Sequence, residues 1–580
     1  MLRARMRRSA AGLAAVTIAL LGASACSGDQ PHVARGPVST RPLPTVQPSA
    51  STAVQATSKS PNIVFVLMDD FSMDLLPTLR NASRMAAEGA SYPHSFVVDS
   101  LCCVSRSATF TGQYPHQTGV LTNTSNLPNS VGPMGGWPAF QAHGDEKRTF
   151  AVHLQRGGYT TGFVGKYLNQ YNYQPDTGLP PAPPGWSDLR VVFESAYKGW
   201  DFNETYVEDG RVQMRPVPAP PALAPDPVKD ESYAGTVIAN NALDFIHEHA
   251  DDAKPYFLEV APYATHSRID TSSAYPDDPL FPPAFRDRPH PGSPFGNCGA
   301  VDCRDLTVRN LPGYADPQDD NAPRRLDGSA APTWNPRPVP LPPRAAESAM
   351  RNRARMAQSV DRMLGRILRT VDDNTYVVLT SDNGFHLGQH GLSMGKGTAY
   401  ASDIQVPLVV VGPGVPAGPR QDLVSNVDLA PTFEDLAGLR PPAFRSGRSL
   451  APSLRDPSAI TGDYAFVEHT WSLSPGMDPD RPFTARGLDV IPSYVAVRSR
   501  DGLLVRDDLD PSWLATDYAY EFYDYTAEPW ERTNRYGDPR YADEIAPLMG
   551  KLAQFDRCSS AVGADPVRGE CRDLTLAADQ

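Results

Sequence analysis

Basic charge is in short supply in this chain. Across 580 residues, 53 lysines and arginines face 66 aspartates and glutamates, a formal net charge of −13. That balance argues against nucleic acid as the main partner, because a phosphate backbone attracts basic surfaces. It leaves room for a small anionic ligand, which needs only a local cationic pocket. Long apolar runs are missing too. The run from Ala10 to Leu21 falls short of the roughly 20 apolar residues that span a bilayer, and no later segment qualifies. Cysteine is sparse, with seven in the chain, a usage that suits an exported protein. Cys298 and Cys303 flank a short loop, Gly299 to Asp302, and are paired on proximity in sequence, as are Cys558 and Cys571. Cys103 is left over and expected to be buried.

What is present begins with an export signal over 1–25. Arg3, Arg5, Arg7 and Arg8 precede the apolar run, and Ala23-Ser24-Ala25-Cys26 follows it. Ala-x-Ala suits an ordinary signal peptidase. With Cys26 the same residues resemble a bacterial lipobox, Ala23 standing where leucine is usual. Both fates stay open: free secretion, or a cell-surface lipoprotein that meets the membrane only through a lipid on Cys26. Residues 26–60 are rich in Pro, Ser, Thr and Ala and carry no periodicity, as a flexible tether does. Folded structure is expected from Pro61.

Asn62 to Met68 is a nearly continuous apolar run, the pattern of a strand buried on both faces, and ends in Asp69-Asp70. Tyr376 to Thr380 repeats it and leads to Asp382-Asn383. Tyr256 to Val260 is a third, followed by His266, and Phe163 to Gly165 leads to Lys166. In an open α/β sheet, ligands gather beyond the carboxyl ends of the strands, so these polar groups point to one shared site. Between them, Met356, Val360, Met363, Leu364 and Ile367 recur at helical spacing within Arg351 to Thr370, and a shorter helix through Leu79 to Ala86 is stopped by Gly89. Alternating strands and helices predict an α/β fold, a mostly parallel central sheet flanked by helices, over 61–455. The proline-heavy stretches Pro175–Pro227 and Pro276–Pro343 read as long surface excursions at the site mouth. Short aromatic and β-branched runs at Tyr464–Val467 and Tyr494–Val497 predict a smaller C-terminal α+β subdomain with an antiparallel sheet over 456–580.

Asp69, Asp70, Asp382 and Asn383 supply hard oxygen ligands. Calcium takes six to eight oxygens, whereas zinc would want His or Cys. Adjacent carboxylates repel without a cation, so two matched pairs at strand ends suggest one divalent ion, Ca2+. Ser105 and Ser107 are read as helix caps at most. His116, His386 and His390 lie near the motifs without an assigned role.

Cys102-Cys103-Val104-Ser105-Arg106, ahead of Thr111-Gly112, resembles the Cys-x-Pro-Ser-Arg signature of the type I sulfatases, with Val104 at the usual proline. The resemblance runs from Asn62 to about Gly438. Gly165-Lys166-Tyr167-Leu168-Asn169 is similar to the family's lysine segment. Ala264-Thr265-His266-Ser267 is similar to its Ala-Pro-His-Ser element, and Thr380 to His386 to its second metal motif. Lys396 with Tyr400 and Val406-Pro407-Leu408 resembles a further catalytic lysine. The Lys166 segment and Arg351-Asn352-Arg353 look most like the N-acetylglucosamine-6-sulfatase group.

The resemblance implies an alkaline-phosphatase-like fold and a sulfuric ester hydrolase acting on a sulfated small molecule or glycan. It also implies a formylglycine-generating enzyme as maturation partner. Cys102 would become formylglycine, whose gem-diol attacks sulfur with one hydroxyl and ejects sulfate with the other. Arg106, Lys166, His266 and Lys396 would be catalytic, and Asp69, Asp70, Cys102, Asp382 and Asn383 would hold the cation. His266 and Lys396 are both open as the acid that protonates the leaving oxygen. Two rival readings stand beside this one: a phosphodiester or phosphonate monoester hydrolase on the same scaffold, and a catalytically silent, glycan-binding surface lipoprotein, for which Val104 speaks.

Overall fold

A computed structural model describes residues 60–125, 133–269, 272–470, 489–511, 515–559 and 571–576. The export signal, and the tether up to residue 59, lie outside the described residues.

β1 (Asn62–Met68) lies inside the central sheet, paired with a parallel strand on each side. Val64, Val66 and Met68 enter one core cluster, and Ile63, Phe65 and Leu67 enter the other. Both faces of the strand are covered, which is why its sequence is continuous rather than alternating. Each such side chain contributes roughly 1.5–3 kcal/mol by leaving water. Following β1 are β2 (Ala90–Ser91), β3 (Thr160–Gly165), β4 (Asp188–Val191), the hairpin β5 (Phe202–Glu208) and β6 (Arg211–Val217), β7 (Tyr256–Ala261), β8 (Thr375–Ser381), β9 (Val409–Val411) and β10 (Gly418–Pro419). All but the hairpin form one sheet, in the order β10-β2-β9-β8-β1-β7-β3-β4. β8, β1, β7, β3 and β4 are parallel, and β9 runs antiparallel between β2 and β8.

Helices α1 (Arg80–Glu88), α2 (Cys102–Thr111), α3 (Phe150–Arg156), α4 (Ala234–His249), α5 (Pro343–Thr370) and α6 (Leu429–Leu436) pack on this sheet. α1, α4 and α5 cover the Val64 face; α2, α3 and α6 cover the Phe65 face. A second sheet is antiparallel throughout: β11 (Ala465–His469), β12 (Ser493–Arg498), β13 (Gly502–Asp508) and β14 (Tyr518–Asp524). Phe466, Val497, Leu504 and Phe522 pack on Leu548, Leu552 and Phe555 of α7 (Ala542–Ser559). Its other face meets Phe96, Tyr400 and Ile404. Cys298–Cys303 and Cys558–Cys571 are disulfides, and Cys102 and Cys103 are free and buried.

The structure departs from expectation in three places. The stretch 175–227 is more than an excursion: it holds β4, which extends the central sheet, and the β5–β6 hairpin. Four residues of β4 beside many prolines are too few for a periodic signal. Helix α5 starts at Pro343, eight residues before the expected Arg351, with proline in the first turn, where its missing N–H costs nothing. Gly89 does end α1, but with φ −133° rather than a left-handed turn. A Cβ there would sit 2.2 Å from the Val410 carbonyl oxygen, so the requirement is close approach to β9.

Gly165, at φ +112°, closes β3, and a Cβ there would lie 2.1 Å from the Ala261 carbonyl oxygen. Gly165→Ala is expected to cost about 3 kcal/mol, from a disfavoured backbone conformation plus overpacking, read as a lower urea midpoint. Glu259 of β7, opposite Phe65 and Phe163, is buried with no hydrogen-bond partner on either carboxyl oxygen. Burial pushes its carboxyl up to about 8, with only Arg106 pulling the other way. Between the ordinary 4.5 and about 8 the native state holds a proton that the unfolded chain has released. Stability therefore falls as pH rises through that window. Glu259→Gln is expected to flatten this slope and to gain up to about 4 kcal/mol over wild type at pH 8, measured by urea unfolding at pH 5 and pH 8.

Candidate active site

Four parallel strands deliver their next residues to one place. β1 is followed by Asp69 and Asp70, β3 by Lys166, β7 by the turn reaching His266, and β8 by Asp382 and Asn383. Backbone hydrogen bonds tie these ends together: Thr265 N–H to the Asp69 carbonyl at 2.6 Å, Asp382 N–H to the Met68 carbonyl at 3.0 Å and Lys166 N–H to the Ala261 carbonyl at 2.8 Å. Cys102 is the first residue of α2, so its side chain lies where the helix presents unsatisfied N–H groups. The residue flanking that helix is Leu101. Ser105 and Ser107 therefore lie inside α2 and do not cap it; Asn426 Nδ2 donates to Ser105 Oγ and its carbonyl at 2.9 and 3.0 Å.

Cys102 Sγ sits 2.7 Å from Lys396 Nζ, 3.5 Å from Asp69 Oδ1 and 3.7 Å from Asp70 Oδ1. Lys396 Nζ also pairs with Asp70 Oδ1 at 2.5 Å. Lys166 Nζ pairs with Asp69 Oδ2 at 2.8 Å and lies 4.0 Å from Asp382 Oδ2. Arg106 Nε donates to Asp382 Oδ2 at 2.8 Å and Nη1 to the Lys166 carbonyl at 2.9 Å. Arg106 thus braces an acid and a backbone, while Lys396 takes the place beside sulfur. Asn383 Nδ2 donates to Asp70 Oδ1 at 2.7 Å, and His266 Nε2 lies 3.5 Å from Asp70 Oδ2. All the residues expected at the site are brought together, and all are buried.

Burial pushes Asp69 and Asp70 up, yet Lys166 and His266 for the first, and His266 and Lys396 for the second, outweigh it and hold both carboxyls low. Burial raises Asp382 despite Arg106. It would strip Lys166 and Lys396 of their protons, but Asp69 and Asp70 respectively keep both lysines firmly charged. It favours neutral His266 over the pull of Asp70 and Asp69. His266 Nδ1 donates to the Ser267 carbonyl at 2.6 Å, so the neutral ring turns a lone pair at Nε2 toward Asp70. The Cys102 thiol is pushed far up by burial, against Lys166 and Lys396. A thiol that resists ionisation is a poor nucleophile as it stands.

These residues fit a hard cation. Asp69, Asp70, Cys102 and His266 offer ligand atoms within 4.8 Å of one another, and Asp70 Oδ2 is buried without a hydrogen-bond donor. Oxygens dominate the wider set once Asp382 and Asn383 are included, as suits calcium rather than zinc.

The other histidines fall elsewhere. His116 pairs with Glu468 at 2.7 Å, His386 with Asp403 at 3.0 Å, and His390 with Glu531 at 3.4 Å. Tyr197, from the proline-rich stretch, carries no signal in the sequence. Its ring lies 4.4 Å from that of His266 and 5.2 Å from Lys166 Nζ. It sits in a one-turn 3-10 helix, Glu194–Lys198, too short to leave a pattern.

A family model described as Sulfatase matches residues 61–439. The chain is 30% identical over 413 residues to an extracellular sulfatase homolog of Drosophila melanogaster, covering 69% of this chain and 32% of that protein, so it spans about a third of that relative's length. It is 28% identical to the N-acetylglucosamine-6-sulfatase of Homo sapiens, covering 86% of this chain and 84% of that one. Among solved structures, a protein in complex with its substrate D-glucosamine-2-N,6-O-disulfate aligns with a TM-score of 0.57 and 21% identity, over 86% of this chain and 98% of that chain. A phosphonate monoester hydrolase from Silicibacter pomeroyi aligns with a TM-score of 0.58 and 20% identity, over 88% and 99%. The expected alkaline-phosphatase-like architecture is therefore the one this chain has. With its signature cysteine at the head of a buried helix and every charged motif beside it, the chain belongs to the sulfatase family, the sulfuric ester hydrolases built on this fold.

Proposed function

We propose that this protein is an exported enzyme that hydrolyses sulfate esters on a glycan, with a glucosamine 6-O-sulfate as the favoured target. The observation that carries this reading is Cys102 at a helix start, within reach of Lys396 and two carboxylates, with Lys166 and His266 around the same acids. The sugar is supported by the N-acetylglucosamine-6-sulfatase relative and by the neighbour bound to a sulfated glucosamine. Export is supported by the extracellular relative, and among the described residues no helix is long and apolar enough to cross a membrane.

Oxidised to formylglycine and hydrated, Cys102 would supply the hydroxyl that attacks sulfur, in place of a thiol that burial keeps protonated. Asp69, Asp70, Asp382 and Asn383 would hold calcium, which when bound would supply Lewis-acid polarisation. Lys396, beside the nucleophile, would orient it and offset charge on the sulfate oxygens. Lys166 would do the same from the opposite carboxylate, in a dry site where one such donor is worth about 100- to 1,000-fold in rate. Arg106 would keep Asp382 and the Lys166 backbone in register. Two groups could protonate the leaving oxygen: Lys396, which keeps its proton beside Asp70, and His266, which would first have to take one up at Nε2.

The phosphonate hydrolase neighbour keeps a second reading in view, since its fold is shared. Parallel assays separate the two: 4-nitrophenyl sulfate is expected to turn over faster than bis(4-nitrophenyl) phosphate, and the reverse order would overturn the sulfatase assignment. Peptide mass spectrometry of active protein is expected to find the Cys102 segment about 18 Da lighter than its thiol form. Cys102→Ala is expected to lose more than about 1,000-fold in kcat/KM with its thermal midpoint unchanged. An active enzyme with an intact thiol contradicts both. Exhaustive chelation is expected to lower turnover by at least about 100-fold, with recovery on adding calcium; undiminished turnover in metal-free protein would remove the cation from the scheme.

A further inference from the structure

Helix α5 sends one charged side chain to the back of the site. Arg353 is completely buried, with its guanidinium 4.7 Å from the Phe385 ring centre. Its hydrogen bonds go to hydroxyls and a carbonyl rather than to a carboxylate. Nη1 donates to Ser72 Oγ at 3.1 Å, and Nη2 donates to the Asp70 carbonyl and, at 3.4 Å, to Thr265 Oγ1. Thr265 Oγ1 itself donates to the same Asp70 carbonyl at 3.0 Å. Both contacts fall on the segments that carry site residues: Asp70 is one, and Thr265 immediately precedes His266.

Asp70 has φ +54°, in the left-handed region that a non-glycine residue seldom occupies. That turn points its carbonyl back toward α5 while its carboxylate meets Lys396, Asn383 and His266. A reversed peptide of this kind persists only where its surroundings hold it. A buried guanidinium and a hydroxyl on one carbonyl oxygen are such a hold, and the planar fork of arginine lets one group bridge two segments.

We infer that Arg353 is a positioning residue of the active site. It locks the Asp70 peptide to Thr265, and through them sets the Asp70 carboxylate and the His266 ring toward the nucleophile. It touches no reacting atom. The inference rests on the sulfatase reading above.

The test compares Arg353→Met and Arg353→Lys with Arg355→Met, a control whose guanidinium donates to the Phe295 carbonyl and Asn352, outside the site. Each purified protein is assayed on an aryl sulfate, with its thermal midpoint recorded and its Cys102 conversion checked by mass. Misplacing a catalytic group by about 1 Å costs on the order of 100-fold. Arg353→Met is expected to lose about 30- to 100-fold in kcat with KM within about threefold of wild type. Arg353→Lys, which keeps the charge but not the fork, should lie between, about 5- to 10-fold down. Arg355→Met should lose thermal stability while keeping kcat. Wild-type kcat in Arg353→Met, or the same kcat loss in Arg355→Met, overturns the inference. Should the methionine variant not fold, wild-type kcat in Arg353→Lys overturns it. A wild-type chain inert on sulfate esters brings down the functional reading and this inference together, whereas an active one isolates Arg353.

Discussion

Three buried carboxylates, Asp69, Asp70 and Asp382, face three buried cations, Lys166, Lys396 and Arg106, around one sulfur atom. The rest of the site depends on this balance. None of the six tolerates burial alone, because a buried charge that loses its partner typically costs about 3–5 kcal/mol. Each therefore holds its neighbours in place: Arg106 fixes Asp382, Asp382 accepts from the Asp70 backbone, and Asp70 fixes Lys396. The charges also cancel, so the protein's own groups leave no surplus positive charge for an incoming sulfate. A divalent cation among the acids would provide it, which joins the electrostatics of the cluster to the chemistry proposed for it.

Support for this cluster reaches beyond the stretch that carries the family match. Lys396 lies on a loop whose next carbonyl, Gly397, accepts from Tyr494 of β12 at 3.1 Å. Tyr400 donates to Glu521 of β14 at 3.1 Å, and the Ala401 N–H donates to Glu531 at 2.8 Å. The antiparallel sheet thus serves as a wall on which the Lys396 loop is hung, and Phe96, Tyr400 and Ile404 make the contact apolar. On the opposite side, α5 braces Asp70 and Thr265 through Arg353. Cys102 and the charges around it are thus tied both to the antiparallel sheet and to α5, as the preorganised chemistry proposed for them requires.

The central sheet was legible because its strands are buried on both faces. A nearly continuous apolar run such as Asn62–Met68 or Tyr376–Thr380 suits a strand covered on both sides, and the polar residues following it stand out by contrast. The strand-end rule then gathers Asp69, Asp70, Lys166, His266, Asp382 and Asn383 without any knowledge of distance. What stayed hidden was short or interrupted. β4, the 3-10 helix that carries Tyr197, and the first turns of α5 lie among prolines, where periodicity has no room to appear.

By itself the sequence determined the strand-and-helix alternation and the polar residues that follow its strands, because both are written in local pattern; proximity along the chain paired the cysteines, and Cys102, Arg106 and Lys396 joined the set only through the family resemblance. Only the tertiary structure decided which cation meets which acid. It put Lys396 beside sulfur and Arg106 on Asp382, left Asp70 Oδ2 without a donor, and spent His116, His386 and His390 on acids elsewhere. The reason is physical. Pairing of buried charges depends on separations of a few ångströms between groups up to some three hundred residues apart in the chain, as with Lys396 and Asp70, and no local pattern encodes such a distance.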